Sequence, residues 1–240
     1  MSLRSLTFLF AVCAFAQDAK PPLSPETRGD IFMARKMYRE AIESFREGSP
    51  KDPVLLNKTG IAYHQMMQLD NARKCYEQAA KAKPDYVEAL NNIGTVYYAK
   101  KSYRRSISWY SRALKIAPND AKSASIYMNL GTAEFARKQY DKATESYQNA
   151  MRLDPEVFEH HSSFGVMLEE RNVEERAKYH FYLAKLYAKG GRTELAIQYL
   201  RKSLEEGFKD KKKLADEPDF ASLKDLPEFK ELIAKEQRVL

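Results

Sequence analysis

Small, aromatic and polar positions recur along this chain at fixed intervals. Glycines stand at Gly29, Gly60, Gly94 and Gly131. Three residues after each comes Phe32, Tyr63, Tyr97 and, departing from the pattern, Glu134. Twelve after comes a small residue, Ala41, Ala72, Ser106 and Ala143, and sixteen after an aromatic, Phe45, Tyr76, Tyr110 and Tyr147. Nineteen after come Gly48, Ala79, Ala113 and Ala150, and twenty-four after come Pro53, Pro84, Pro118 and Pro155. A fifth copy runs Ala184, Tyr187, Ala196, Leu200 and Ser203, with Phe208 in the proline slot.

These slots predict pairs of antiparallel helices. A small residue lets two backbones approach at their crossing point, and aromatics one turn away fill the space on either side. Proline cannot continue a helix, so it marks the exit of the second one. Short turns divide each pair: Lys36-Met37, Gln68-Leu69-Asp70, Lys100-Lys101-Ser102, Lys138-Gln139 and Gly190-Gly191-Arg192. One pair cannot bury its own apolar face, whereas stacked pairs share a continuous core.

The pattern resembles the tetratricopeptide repeat, whose period is about 34 residues. Gly60 to Gly94 is 34 residues, Gly29 to Gly60 is 31, Gly94 to Gly131 is 37 and Gly131 to Ala184 is 53. The departures imply a shortened first linker, a small insertion near Ala121 and a longer insert over 158–176. The resemblance covers most of residues 22–210. It implies an all-α, right-handed α-solenoid of about five helix-turn-helix repeats, over 22–52, 53–86, 87–120, 124–157 and 177–210, with a helical cap over 211–240.

Local signals refine this plan. Pro25 suits the first turn of the first helix. The insert holds Phe164, Val166, Met167 and Leu168, which are expected to pack back onto the solenoid rather than face water. Asn172-Val173-Glu174-Glu175 reads as an N-cap with a carboxylate three residues on, so a long helix is expected from Val173 to Lys189. Leu223, Leu226, Phe229 and Leu232 recur at three- and four-residue steps and suit short helices closing the end of the stack.

Composition adds bounds on partners and compartment. The 240 residues carry a formal net charge of +7, with acidic and basic residues interspersed and one dense basic run at 209–213. That run reads as a solvated helix end, and nucleic-acid binding, which wants clustered cations beside exposed aromatics, is not expected. Residues 1–16 read as a secretory signal: Arg4, an apolar stretch over 6–15, and Ala14-Phe15-Ala16 as the cleavage site. The stretch is too short to span a hydrocarbon core of about 30 Å, and no transmembrane segment is expected in the mature chain. The expected product is periplasmic or secreted and opens with a linker over 17–24. Cys13 sits in a poorly matched lipoprotein box, so lipidation is not expected. With Cys13 removed, Cys75 has no partner for an internal disulfide and reads as a partly buried free thiol.

No phosphate loop, nucleophile elbow or metalloprotease motif is present. The histidines His64, His160, His161 and His180 have no metal-ligand spacing, and no cofactor or metal is expected. The chain reads as a non-enzyme whose partner is a protein or peptide. In the family it resembles, first helices line a concave surface that grips extended peptides. The resemblance places Asn57, Lys58, His64, Asn91, Asn92, Thr95, Tyr98, Asn129, Thr132 and Phe135 in that groove, with Tyr182 in the asparagine slot of the fifth repeat. The asparagines either hydrogen-bond a peptide backbone or face solvent as a preference of the fold. Glu26, Asp30 and Glu88 have the wrong sign for a clamp on acidic C-termini. The expected role is an exported scaffold for protein contacts. The alternative is a structural subunit packing edge-on in an envelope complex for secretion, pilus assembly or polysaccharide export.

Overall fold

The computed structural model describes residues 22–159, 173–209, 214 and 216–237. The export signal, Cys13, His160, His161, the apolar insert residues Phe164, Val166, Met167 and Leu168, and the N-cap at Asn172 lie outside them. Among the described residues all regular structure is helical. Helices α1 (Pro25–Ala34) and α2 (Tyr38–Arg46) form the first pair, α3 (Pro53–Gln65) and α4 (Leu69–Ala82) the second. Then come α5 (Val87–Ala99) with α6 (Tyr103–Ile116), α7 (Ser123–Ala136) with α8 (Tyr140–Leu153), and α9 (Val173–Lys189) with α10 (Thr193–Glu205). Residues 173–176, read as part of the insert, are the first turn of α9, where Glu174 and Glu175 suit the positive end of the helix.

The first four pairs are closed by the same contact. The aromatic sixteen residues after the glycine packs against that glycine across the helix crossing. A Cβ at Gly94 would sit 2.5 Å from Tyr110 Cε1, and Gly60 under Tyr76 and Gly131 under Tyr147 match it. Two of these rings are anchored at their far ends. Tyr110 Oη donates to Thr95 Oγ1 and Tyr147 Oη to Thr132 Oγ1, each at 3.3 Å. The small residue at twelve is fully buried at Ala41, Ala72, Ser106 and Ala196, as close backbone approach requires.

The turns are also alike. Lys36, Met67, Lys101 and Lys138 adopt left-handed backbone with φ of 57–61°, and Gly191 takes the same place at 71°. The next residue's N–H reaches back to the residue three after the glycine: Gln68 to Tyr63 O, Ser102 to Tyr97 O and Arg192 to Tyr187 O. This six-to-one bond satisfies an end carbonyl of the first helix and reverses the chain.

Successive pairs stack on their sequence neighbours to make a solenoid. Its C-terminal end is covered by a 3-10 helix (Pro218–Leu223) and α11 (Pro227–Gln237). Leu214, Phe220, Leu223 and Phe229 are buried in one cluster with Phe181, Leu183 and Leu186 of α9. The N-terminal pair has a far smaller core of Ala41, Phe45 and Leu55, flanked by Phe32 and Met33.

Candidate functional site

The first helices carry the residues read as a peptide groove, and they bring the asparagines together in an unexpected way. Asn92 Nδ2 donates to Asn57 Oδ1 at 3.0 Å, and Asn129 Nδ2 to Asn91 Oδ1 at 3.2 Å. These bonds are rungs between first helices of neighbouring pairs. All four asparagines are buried, as are Thr132 and Phe135. The sequence reading placed all six on an open, partner-facing strip. An amide can donate and accept at once, so two of them satisfy each other in a helix interface, and burial then costs little. Phe135 belongs to an aromatic cluster, its ring centre 5.1 Å from Tyr140, 5.7 Å from Tyr179 and 5.6 Å from Tyr182.

Lys58 occupies the asparagine slot of the second pair. Its Nζ bonds Glu26 Oε1 at 2.8 Å and Asp30 Oδ2 at 2.6 Å. Burial pulls the ammonium's pKa down, but the two carboxylates outweigh it and the net shift is upward. Two of the three acids that argued against a carboxylate clamp thus hold the second pair to the first. Lys122 reaches Glu88 in the same way at 3.1 Å. His64, Thr95 and Tyr98 stay partly accessible. Burial lowers the His64 pKa, and its ring meets Tyr76 edge-on at 6.5 Å.

A cleft of about 320 Å³ opens at the fifth pair, lined by Lys178, Phe181, Tyr182, Lys185, Phe208 and Glu217 among others. Its aromatic groups are fixed by stacking: Phe181 on Phe208 at 4.3 Å and Tyr182 on Tyr140 at 5.2 Å. Lys178 Nζ stands 4.1 Å from the centre of the Tyr140 ring, a cation–π distance. Lys185 Nζ is held by Glu217 at 3.0 Å and Asp219 at 3.2 Å. Those acids outweigh the effect of burial and raise its pKa. Residues 178, 181, 182 and 185 share one face of α9, a spacing visible in the sequence. Their meeting with Phe208 and Glu217 is a tertiary event that no local pattern announces.

Other titratable groups serve the fold. Burial pushes the Cys75 thiol pKa up, away from the reactive thiolate. His180 Nδ1 lies 2.7 Å from Glu206, with burial the larger influence and its pKa lowered. Among the described residues no three His, Cys, Asp or Glu side chains gather as a metal site would need. None of the described helices is long and apolar enough to cross a membrane.

Paired helices, glycine-on-ring crossings and left-handed turns agree with what comparison with known families finds. Models described as tetratricopeptide repeat match residues 85–156 and 128–210, and one described as TPR repeat matches 60–101. The chain is a tetratricopeptide repeat protein. Among curated relatives, the ycf37 protein of Guillardia theta is 34% identical over 95 residues, 36% of this chain and 53% of that one. The chloroplastic PYG7 tetratricopeptide protein of Arabidopsis thaliana is 31% identical over 100 residues, 38% of this chain and 33% of that one. Protein O-mannosyl-transferase TMTC1 of Mus musculus is 33% identical over 84 residues, covering 33% of this chain and 9% of that one. The chain thus spans about half the length, or less, of these relatives. Among solved structures, MamA residues 41-end from Desulfovibrio magneticus RS-1 superpose with a TM-score of 0.52 at 22% identity, covering 76% of this chain and 92% of that one. Another MamA crystal structure gives 0.51 at 18%, covering 74% and 93%. At that identity the likeness is one of fold.

Proposed function

We propose that this tetratricopeptide repeat protein is an exported, non-catalytic scaffold that grips an extended peptide or partner segment along its first-helix surface. The observation that carries this reading is the cleft at α9. Tyr182, in the family's asparagine slot, presents a stacked ring there, with Lys178 and Lys185 beside it. Aromatic and cationic groups held rigid by their neighbours suit a peptide that supplies apolar and carboxylate groups. His64 on α3 and Thr95 and Tyr98 on α5 are the other partly accessible first-helix positions of the groove reading.

The test is a photo-crosslinking amino acid placed singly at Tyr182, at Tyr98 and, as a control, at the exposed Gln78 on α4. A partner captured at Tyr182 and Tyr98 but not at Gln78 supports the groove. Equal capture at all three contradicts it.

A second reading, edge-on packing in an envelope assembly, is favoured by Ile31. It is 37% exposed, while its counterparts two residues after the glycine, Ala62, Val96 and Ala133, are at 0% and Leu186 at 4%. Among the described residues no helix pair precedes the first to cover that slot. A crosslinker at Ile31 that captures a partner when Tyr182 does not selects this reading. Export is checked separately: N-terminal sequencing of the mature protein should begin at Gln17. A start at Met1 or a lipid on Cys13 contradicts it.

A further inference from the structure

The five second helices form a set of internal controls, and α6 breaks its pattern. Outward-facing positions on α2, α4, α8 and α10 mix both signs, and each of these helices has an acid in its first turn: Glu40, Asp70, Asp141 and Glu194. Helix α6 has no carboxylate at all. It carries Arg104, Arg105, Arg112 and Lys115, all exposed. Two of these arginines stand in the first turn, at the positive end of the helix, where cations are disfavoured. Among the described residues none of the four forms an ion pair, whereas Arg73 on the neighbouring α4 is held by Glu77 at 2.8 Å. Aromatic faces orient two of them. Arg105 lies 5.6 Å over Tyr97, and Arg112 lies 5.3 Å over the half-buried Trp109. A guanidinium over a ring at this distance retains N–H donors for a carboxylate.

We propose that the outer face of α6 is a docking strip for an acidic polypeptide segment of a partner, separate from the first-helix groove. The strip runs from Arg104 to Lys115, about 16 Å at 1.5 Å per residue. It is one helix wide. The second helices before and after it, α4 and α8, carry both signs, and the acids of α4 are held by cations, Asp70 by Lys100 and Glu77 by Arg73. A single chain bearing Asp and Glu, laid along α6, meets only the cations. Trp109 and Ile116, the latter 42% exposed, add apolar contact along the same line. Arg104 and Arg105 set like-signed charge against the helix dipole in this one repeat of five, a local cost as expected of a site kept for a partner.

The experiment uses the full chain and a fluorescently labelled deca-glutamate peptide, read by anisotropy at low salt. The expected result is saturable binding that weakens steeply as salt is added. The pair Arg104→Glu and Arg112→Glu should weaken it about ten-fold or more, while Lys74→Glu with Lys81→Glu on α4 changes it less than about two-fold. Equal loss in both pairs would reduce the effect to net charge and overturn the proposal. So would no peptide binding, or binding indifferent to the α6 pair. Vesicles containing phosphatidylglycerol form a second arm, and binding to them in place of the peptide overturns the proposal in favour of a lipid surface. Arg104→Asp supplies an independent readout. It should raise the melting temperature by about 1–4 °C while lowering peptide affinity. A fall in melting temperature would show that the arginine serves the fold instead.

Discussion

A methyl group at Gly94 has no room, because the Tyr110 ring already occupies its place at 2.5 Å. Gly94→Leu should therefore destabilise by at least about 1–3 kcal/mol, the usual cost of overpacking, and Ala113→Leu likewise. Lys100→Leu loses only a surface ion pair to Asp70 and should cost far less. Thermal melts check this, and equal melting temperatures for the three variants would contradict the register. Asn92→Ala removes a rung and leaves Asn57 Oδ1 without that donor, a loss of about 1–3 kcal/mol in urea titrations. Unchanged stability there would mean that the asparagines are not structural. Glu134 stands where other repeats place an aromatic. It is buried, and burial pushes its carboxyl pKa up despite the Ser146 hydroxyl donating at 2.7 Å. The unfolded chain releases this proton at the ordinary carboxylate value and the folded chain only at a higher pH. Stability from this group is thus complete below the ordinary value and is lost as pH rises through the raised one. Glu134→Gln should be more stable than the parent at neutral pH, with the gap closing on acidification. Parallel pH-dependent melts of the two chains would refute it.

Among the elements, the turn between paired helices makes the strongest demand on backbone conformation. Gly191→Ala should cost about 1 kcal/mol, since an alanine resists left-handed backbone. Lys101→Gly should cost almost nothing, because relief at that angle offsets the added chain entropy. Melting curves of the two variants that coincide would contradict this asymmetry. The left-handed residue was not legible at Lys36, Met67, Lys101 or Lys138, as lysine and methionine carry no turn signal. The helix pairing was legible because the glycine and its covering ring lie sixteen residues apart, a separation fixed by two helices and one turn. The start of α9 at Val173 was legible from Asn172 and the carboxylate three residues on. The role of the asparagines was not. Asn91 and Asn92 point about 100° apart around the helix, and sequence does not say which neighbouring helix each will meet. The cleft was still less accessible, since Lys185 finds Glu217 only after the chain has turned through α10.

For the whole molecule, contact passes mainly from each pair to the next, so stability varies along the stack. The first pair rests on Ala41, Phe45 and Leu55 and on partly exposed ion pairs, Arg28 with Glu47 and Lys58 with Glu26 and Asp30. Native-state hydrogen exchange should show α1 and α2 opening first and the α5 to α8 amides last. Uniform protection would mean that the repeats open as one body. The position of Trp109 offers a way to watch this. It is the sole tryptophan of the chain and it lies in the third of five helix pairs. Its emission therefore reports on the middle of the stack and is silent when either end frays, while far-ultraviolet dichroism sums over every helix. If the two signals melt together, the solenoid is a single cooperative unit. If dichroism falls first, it unzips from its ends, and the gap between the curves measures how far unzipping proceeds before the centre gives way.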